Sequence, residues 1–205
     1  KDTITDIGKK VKLATMLGTI QSTLTNFKYL SREWRKNCDE ERLLGVSLTG
    51  IMDNTTLANP KPENLQHLRE IAVHTNEALA QEIGINPSAS ITCVKPSGTV
   101  SQLVDSASGI HSRHSPYYIR RVRMDAKDPM TTFMQDLEWV WEPDNTKPNE
   151  TVVFSFPVKS PKGSITREKR SAIQQLEVWA LYQEHWCQHK PSITITVKEE
   201  EWLEV

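Results

Sequence analysis

The sequence predicts an α/β fold. Stretches with apolar residues at helical spacing alternate with short runs of β-branched residues, and the alternation continues from one end to the other. Length bounds the rest: 205 residues suffice for one domain with a real core and are too few for two large ones.

The first expected helix covers residues 9–27, through Val11, Leu13, Ala14, Leu17, Ile20, Leu24 and Phe27. Gly45-Val46-Ser47-Leu48-Thr49-Gly50-Ile51 is a short strand-like run. A second helix runs from Pro62 to about Ile83, opened by proline, built on Leu65, Leu68, Ile71, Ala72 and Leu79, and stopped by Gly84. Ser90-Ile91-Thr92-Cys93-Val94 is the next strand, followed at once by Lys95-Pro96-Ser97-Gly98-Thr99-Val100-Ser101. Residues 118–124 alternate as a strand with one apolar and one basic face. Beyond it come a helix over Pro129 to Trp139, a buried strand over Thr151 to Pro157, the clearest helix over Arg167 to His189, and a last strand over Ser192 to Val197. Both ends read as cuts, because the chain opens on the approach to a helix and stops in the amphipathic stretch Glu201 to Val205. Residues 1–205 are therefore expected to form a single partial domain of something larger.

Charge excludes some functions. With 25 basic and 26 acidic residues the net charge is −1, so no global field favours nucleic acid or an anionic membrane. A polyanion would have to be held by a local site. No apolar run reaches transmembrane length, and the first residues do not resemble a signal peptide, so a cytoplasmic setting is expected. Cys38, Cys93 and Cys187 are widely spaced and odd in number, which does not suit a disulfide framework.

The segment richest in chemistry is Lys95-Pro96-Ser97-Gly98-Thr99, directly after a strand. Small, hydroxyl-bearing residues there let backbone N–H groups turn toward an anion, and a helix starting at that point would add its N-terminal dipole. An ordinary strand-to-helix turn with a hydroxyl cap explains the same pattern equally well. A second cluster is Gly109-Ile110-His111-Ser112-Arg113-His114 with the tyrosines and arginines of residues 117–123, where guanidinium forks suit phosphates. Arginines on the solvated face of an edge strand account for it as well. His185 and His189 share a helix face but lack a third ligand, so no metal is assigned. Cys93 beside the loop is a candidate thiol, or simply a small buried hydrophobe.

Three segments in order carry a resemblance to a known family. Val94 through Ser101, then Ser108-Gly109-Ile110-His111, then Tyr118 through Arg123 resemble the corresponding run of monomeric, adenosylcobalamin-dependent (class II) ribonucleoside-triphosphate reductases. Arg32-Glu33-Trp34-Arg35 through Leu44 to Gly50 is similar to the part upstream of that run. Trp186-Cys187 through Pro191 to Val197 is similar to a part downstream. The resemblance implies roughly the second half of a ten-stranded α/β barrel. It implies that Pro96, Ser97, Gly98, Thr99 and Ser101 hold the substrate phosphates, and it makes Gly109, Ile110 and His111 candidates for lying near cofactor or substrate.

The implied reaction is reduction of ribonucleoside triphosphates to 2′-deoxyribonucleotides. Adenosylcobalamin initiates a thiyl radical, a cysteine pair supplies electrons, and a thioredoxin-type reductant restores the pair. The radical cysteine of the family lies in an Asn-x-Cys-x-Glu motif that does not occur in this sequence; Asn37-Cys38-Asp39-Glu40 is a near miss in the wrong place. No catalytic residue is therefore assigned within the chain, and the isolated polypeptide is expected to be inactive. Gln188 and Lys190 depart from the usual residues of the downstream segment, a change expected to affect a surface only. The remaining readings are a stand-alone nucleotide- or phosphate-binding domain, and a barrel fragment of another reductase class.

Overall fold

The computed structural model describes residues 2–205. In chain order the elements are α1 (Ile4–Gln21), α2 (Arg32–Glu41), β1 (Val46–Ser47), α3 (Thr55–Ala58), α4 (Pro62–Ile83), β2 (Thr92–Cys93) and α5 (Val100–Leu103). They continue with β3 (Tyr117–Asp125), α6 (Pro129–Asp136), β4 (Trp141–Pro143), β5 (Thr151–Lys159) and α7 (Ala172–His185). The chain divides into two compact units: everything up to Arg113 together with Gly163–Val205, and His114–Lys162. Among the described residues no helix is long and apolar enough to cross a membrane.

In the first unit, helices surround a short parallel pair. β1 and β2 run side by side with Val46 opposite Thr92 and Ser47 opposite Cys93. The ladder is far shorter than the strand-like sequence runs, because both strands turn away at once. Gly50 takes a left-handed φ of +69° and donates its N–H to Ala107 O, while Lys95 N–H is drawn to Ser47 Oγ at 2.8 Å.

α1 starts five residues earlier than expected and ends six earlier. Thr3 caps it in a reciprocal box with Asp6, a start signal that apolar spacing alone does not register. Its buried stripe is Ile7, Val11, Thr15 and Thr19, whereas Leu13, Leu17 and Ile20 are exposed. Burying threonine is tolerable here because each hydroxyl donates to the carbonyl one turn back, Thr15 to Val11 and Thr19 to Thr15, both at 2.8 Å. α4 matches the expected bounds, with Pro62 in its first turn and Gly84 closing it at φ +72°. Leu65, Leu68 and Ala72 are fully buried in the core; burying each leucine contributes about 1.5–3 kcal/mol. Asn76 on the same stripe is satisfied by Thr19 Oγ1, Ser88 Oγ and Ser88 N–H.

The expected helix over Arg167 to His189 is shorter: a 3-10 turn at Arg167–Lys169 precedes α7, which a Ser171–Gln174 capping box opens. Tyr182 and Trp186 are wholly buried, and each polar tip reaches a carbonyl, Tyr182 OH to Leu57 O at 2.9 Å and Trp186 Nε1 to Cys93 O at 2.7 Å. Gln188 then lies along the open side of β2. Its Oε1 accepts from Ile91 N–H (2.7 Å) and Thr92 N–H (3.2 Å), and its own N–H donates to Thr92 O (2.8 Å). The change at Gln188 thus touches the backbone of β2, not a surface alone.

Ser192 to Val197 forms no ladder, contrary to expectation. It alternates in exposure like a strand, but no strand pairs with it among the described residues. It is held instead through Thr194 N–H to His111 Nε2 at 2.9 Å and Trp179 Nε1 to Pro191 O at 3.1 Å.

The second unit is an antiparallel sheet in the order β3-β5-β4, with Tyr117 opposite Lys159 and Asp125 opposite Thr151. Val152, Val153 and Phe154 of the central strand are buried, as their run in the sequence requires. β3 does alternate, but not as one apolar and one basic face. Tyr118, Arg120, Val122 and Met124 share the half-buried side, while Tyr117, Ile119, Arg121 and Arg123 share the exposed one. Arg121 pairs with Glu142, and Arg123 donates to Asp144 at 2.8 Å. Asp144 also accepts from Thr146 and Lys147, and these bonds hold its carboxyl well below the usual carboxylate range. Asp128 caps α6, and its Thr131 hydroxyl bonds back to Asp125 O.

Candidate functional site

The loop leaves β2 at Val94 and passes through exposed Lys95 and Pro96 to Ser97, which adopts a left-handed φ of +45°. That conformation is uncommon for a residue with a Cβ and needs support from its surroundings. The support comes from two directions. Ser97 Oγ lies 2.8 Å from Thr49 Oγ1 and accepts from Gly109 N–H at 2.9 Å. Ser97 O accepts from Ser101 N–H at 3.1 Å and closes the turn into α5.

Gly109 has to be glycine. Its φ is +52°, and a Cβ there would stand 2.4 Å from Lys95 O. This close approach seats residues 107–110 against the root of the loop. Gly98 is the opposite case: nothing lies within 4 Å of where its Cβ would be, and the residue is exposed. Thr99 is exposed too, and it precedes α5 without spending its hydroxyl on a capping bond. α5 is a single turn, so it offers the leading N–H groups of a first turn rather than a sustained dipole.

The residues singled out in the loop therefore divide. Pro96, Gly98 and Thr99 face outward. Ser97 is half-buried, and Ser101 is wholly buried with its hydroxyl between Ser108 Oγ and Gln102 Nε2, each at 3.1 Å. Gly109 and Ile110 are buried beneath the loop. The ring of His111 is engaged at both nitrogens, by Ser108 O at 3.0 Å and Thr194 N–H at 2.9 Å. Since Nε2 accepts, the proton of the neutral ring sits on Nδ1 and is directed at Ser108 O.

Two residues that bear on the site have no local sequence signal, Thr49 and Asp53. Asp53 anchors the far side of the 105–113 segment. Its carboxylate accepts from Arg113, from Ser164 Oγ at 2.8 Å and from Ala107 N–H at 2.7 Å. Burial pushes this carboxyl up, but the bonds from Arg113, Ser164 and Ala107 outweigh it and leave it below its ordinary value. Arg113 is thereby committed to structure, while Arg120, Arg121 and Arg123 belong to β3 of the second unit.

The cysteines do not form a reactive centre. Cys93 is buried and its thiol is pushed up by burial; Cys187 is pushed up to about 12, by burial first and by neighbouring Cys93 next. His185 and His189 diverge, to Gln66 and to Leu44 O, and among the described residues no three His, Cys, Asp or Glu side chains are placed to hold a metal ion.

Comparison with known proteins bears on the class. No family model matches the chain. Its fold is that of a class II ribonucleotide reductase: a solved structure described as a B12-dependent (class II) ribonucleotide reductase superposes with a TM-score of 0.78 at 22% identity, over 95% of this chain and 31% of that one. More particularly, the chain is similar to adenosylcobalamin-dependent ribonucleoside-triphosphate reductases. That of Lactobacillus acidophilus is 27% identical over 95% of this chain and 30% of its own length. That of Euglena gracilis is 29% identical over 82% of this chain and 24% of its own length. The resemblance carried by the three sequence segments is thus borne out by relatives that cover most of the chain. The chain spans less than a third of the length of these curated relatives.

Proposed function

We infer that this chain is part of a ribonucleotide reductase that converts ribonucleoside triphosphates to 2′-deoxyribonucleotides, and that it supplies the loop holding the substrate phosphates. The observation that carries the reading is the two-sidedness of residues 96–101. The inner side is braced by Ser97, Ser101 and Gly109, while the outer side presents Gly98 and Thr99 to open space. A braced backbone with small residues facing outward suits an anion held by N–H and hydroxyl donors. Lys95 flanks the loop and adds a positive charge near its root. In this reading the chain is roughly the second half of an α/β barrel, completed by the remainder of the parent polypeptide.

The relatives are adenosylcobalamin-dependent, and the same cofactor is proposed for the parent enzyme. Gly109, Ile110 and His111 are proposed to lie near cofactor or substrate through the backbone they brace, rather than as free side-chain donors. Gly109 and Ile110 are buried, and both nitrogens of His111 are taken by backbone groups. The radical cysteine is assigned to another part of the parent. A thioredoxin-type reductant and a cytoplasmic setting complete the proposal.

The test is Gly98→Val in the full-length reductase that carries this segment. Because the Cβ position is open, valine fits the chain without displacing it, and it fills the space through which a phosphate would approach. The KM for the ribonucleoside triphosphate is expected to rise about tenfold or more, with the thermal midpoint unchanged. An unchanged KM removes the loop from the site.

A further inference from the structure

We propose that Thr49 is a positioning residue for the phosphate loop, acting through Ser97; this rests on the phosphate-loop reading of residues 96–101. The hydroxyl of Thr49 sits where three separated segments meet. It donates to Ala107 O at 3.1 Å, accepts from Gly109 N–H at 3.0 Å, and contacts Ser97 Oγ at 2.8 Å.

Thr49 has one hydroxyl proton; when it goes to Ala107 O, Ser97 is the donor in the Ser97–Thr49 bond, and either direction links the two hydroxyls. Gly109 N–H is shared between the two hydroxyl oxygens at 2.9 and 3.0 Å. The hydroxyl of Ser97 is thus engaged inside the protein by Thr49 and Gly109. Ser97 serves the site by holding its own backbone at φ +45°, the conformation that turns Gly98 and Thr99 outward. What keeps it there is a hydroxyl 48 residues upstream.

Removing the Thr49 hydroxyl leaves Ser97 Oγ without its Thr49 partner and the Gly109 N–H with Ser97 Oγ alone. The loop then relaxes toward ordinary backbone, and its outward donors lose their alignment. The consequence falls on binding of phosphate rather than on the chemical step, because Thr49 touches no reacting atom in this arrangement.

The experiment uses the full-length reductase with Thr49→Val, Thr49→Ser, Ser97→Ala, the Thr49→Val/Ser97→Ala double variant and Gly98→Val. Steady-state KM and kcat are measured for a ribonucleoside triphosphate, together with inhibition by inorganic tripolyphosphate as a base-free probe. Thr49→Val is expected to raise KM and the tripolyphosphate inhibition constant together, by about five- to tenfold, with kcat within about twofold of wild type. Thr49→Ser restores both constants. Ser97→Ala matches Thr49→Val, and the double variant is no worse than either, as expected of two ends of one link. If Gly98→Val raises KM and Thr49→Val does not, the positioning role falls while the loop reading stands. If neither changes KM, the loop reading itself falls. Additive effects in the double variant overturn the link between the two residues. Where Thr49→Val does not fold, Ser97→Ala at wild-type KM overturns the proposal.

Discussion

Arg113 and Asp53, sixty positions apart in the chain, form a buried ion pair in which Nη2 lies 2.7 Å from Oδ2 and Nε bridges both carboxylate oxygens at 3.1 and 3.2 Å. Only 3% of the Arg113 side chain and 13% of the Asp53 side chain are exposed. Because Asp53 also holds Ala107 and Ser164, one carboxylate fixes the segment on which the loop at residues 95–101 rests.

Asp53→Asn removes the closer of the two carboxylates beside the guanidinium and leaves only exposed Asp105 at 3.8 Å, and breaking one side of a buried pair costs about 3–5 kcal/mol. The full-length protein is expected to unfold at a clearly lower denaturant concentration, read by circular dichroism. The folded Asp53 carboxyl lies below its unfolded value of 3.8, so its contribution is present above that pH and is lost as pH falls through the folded value. The gap between wild type and Asp53→Asn therefore narrows in acid below about pH 3.8.

Gly109→Ala and Gly98→Ala make a matched pair. The first places a Cβ 2.4 Å from a backbone oxygen at a left-handed φ and is expected to destabilise the enzyme by about 2 kcal/mol or more. The second meets nothing and leaves the thermal midpoint within about a degree of wild type. Differential scanning calorimetry separates them.

Gln188→Ala strips an acceptor from two N–H groups of the strand that leads into the loop. Each donor left unsatisfied costs about 1–3 kcal/mol, so faster hydrogen exchange is expected at Ile91 and Thr92. Gln188→Glu keeps the acceptor oxygen and preserves the slow exchange.

Cys93 and Cys187 are held as thiols by burial, so both are expected to react at least about tenfold more slowly than half-buried Cys38 with iodoacetamide at pH 8, followed by mass spectrometry of the peptides. Since both folded values lie above the unfolded 9.0, the stability they contribute is full below pH 9.0 and is lost as pH rises through the folded values, that of Cys187 at about 12. Equal alkylation of all three cysteines in the native enzyme would contradict the packing around Trp186.

Local punctuation was legible and long-range bonding was not. α4 was read to the residue because Pro62 and Gly84 mark its ends in the sequence itself. α1 was misplaced because its buried stripe contains Thr15 and Thr19, which are polar by type but bond to their own helix. Ser192 to Val197 has the composition of a strand, yet a strand is defined by its neighbour, and composition does not supply one. The loop at residues 95–101 stood out because its small residues are contiguous. Thr49 and Asp53 carry no such mark; a threonine and an aspartate acquire their roles only when the fold brings Ser97, Gly109 and Arg113 to them.

The left-handed turn at Ser97 makes the loop non-portable. Transplanted alone into another strand-to-helix turn, Pro96-Ser97-Gly98-Thr99 would carry its letters but not its shape, since the Thr49 hydroxyl, the shared amide and the glycine that admits Lys95 O all come from elsewhere in the chain. Grafting or redesign therefore has to move three segments as one unit: Thr49-Gly50, residues 95–101 and residues 107–109. The same dependence means that a short-motif search scoring the loop by itself will count as equivalent many sequences that cannot hold the turn.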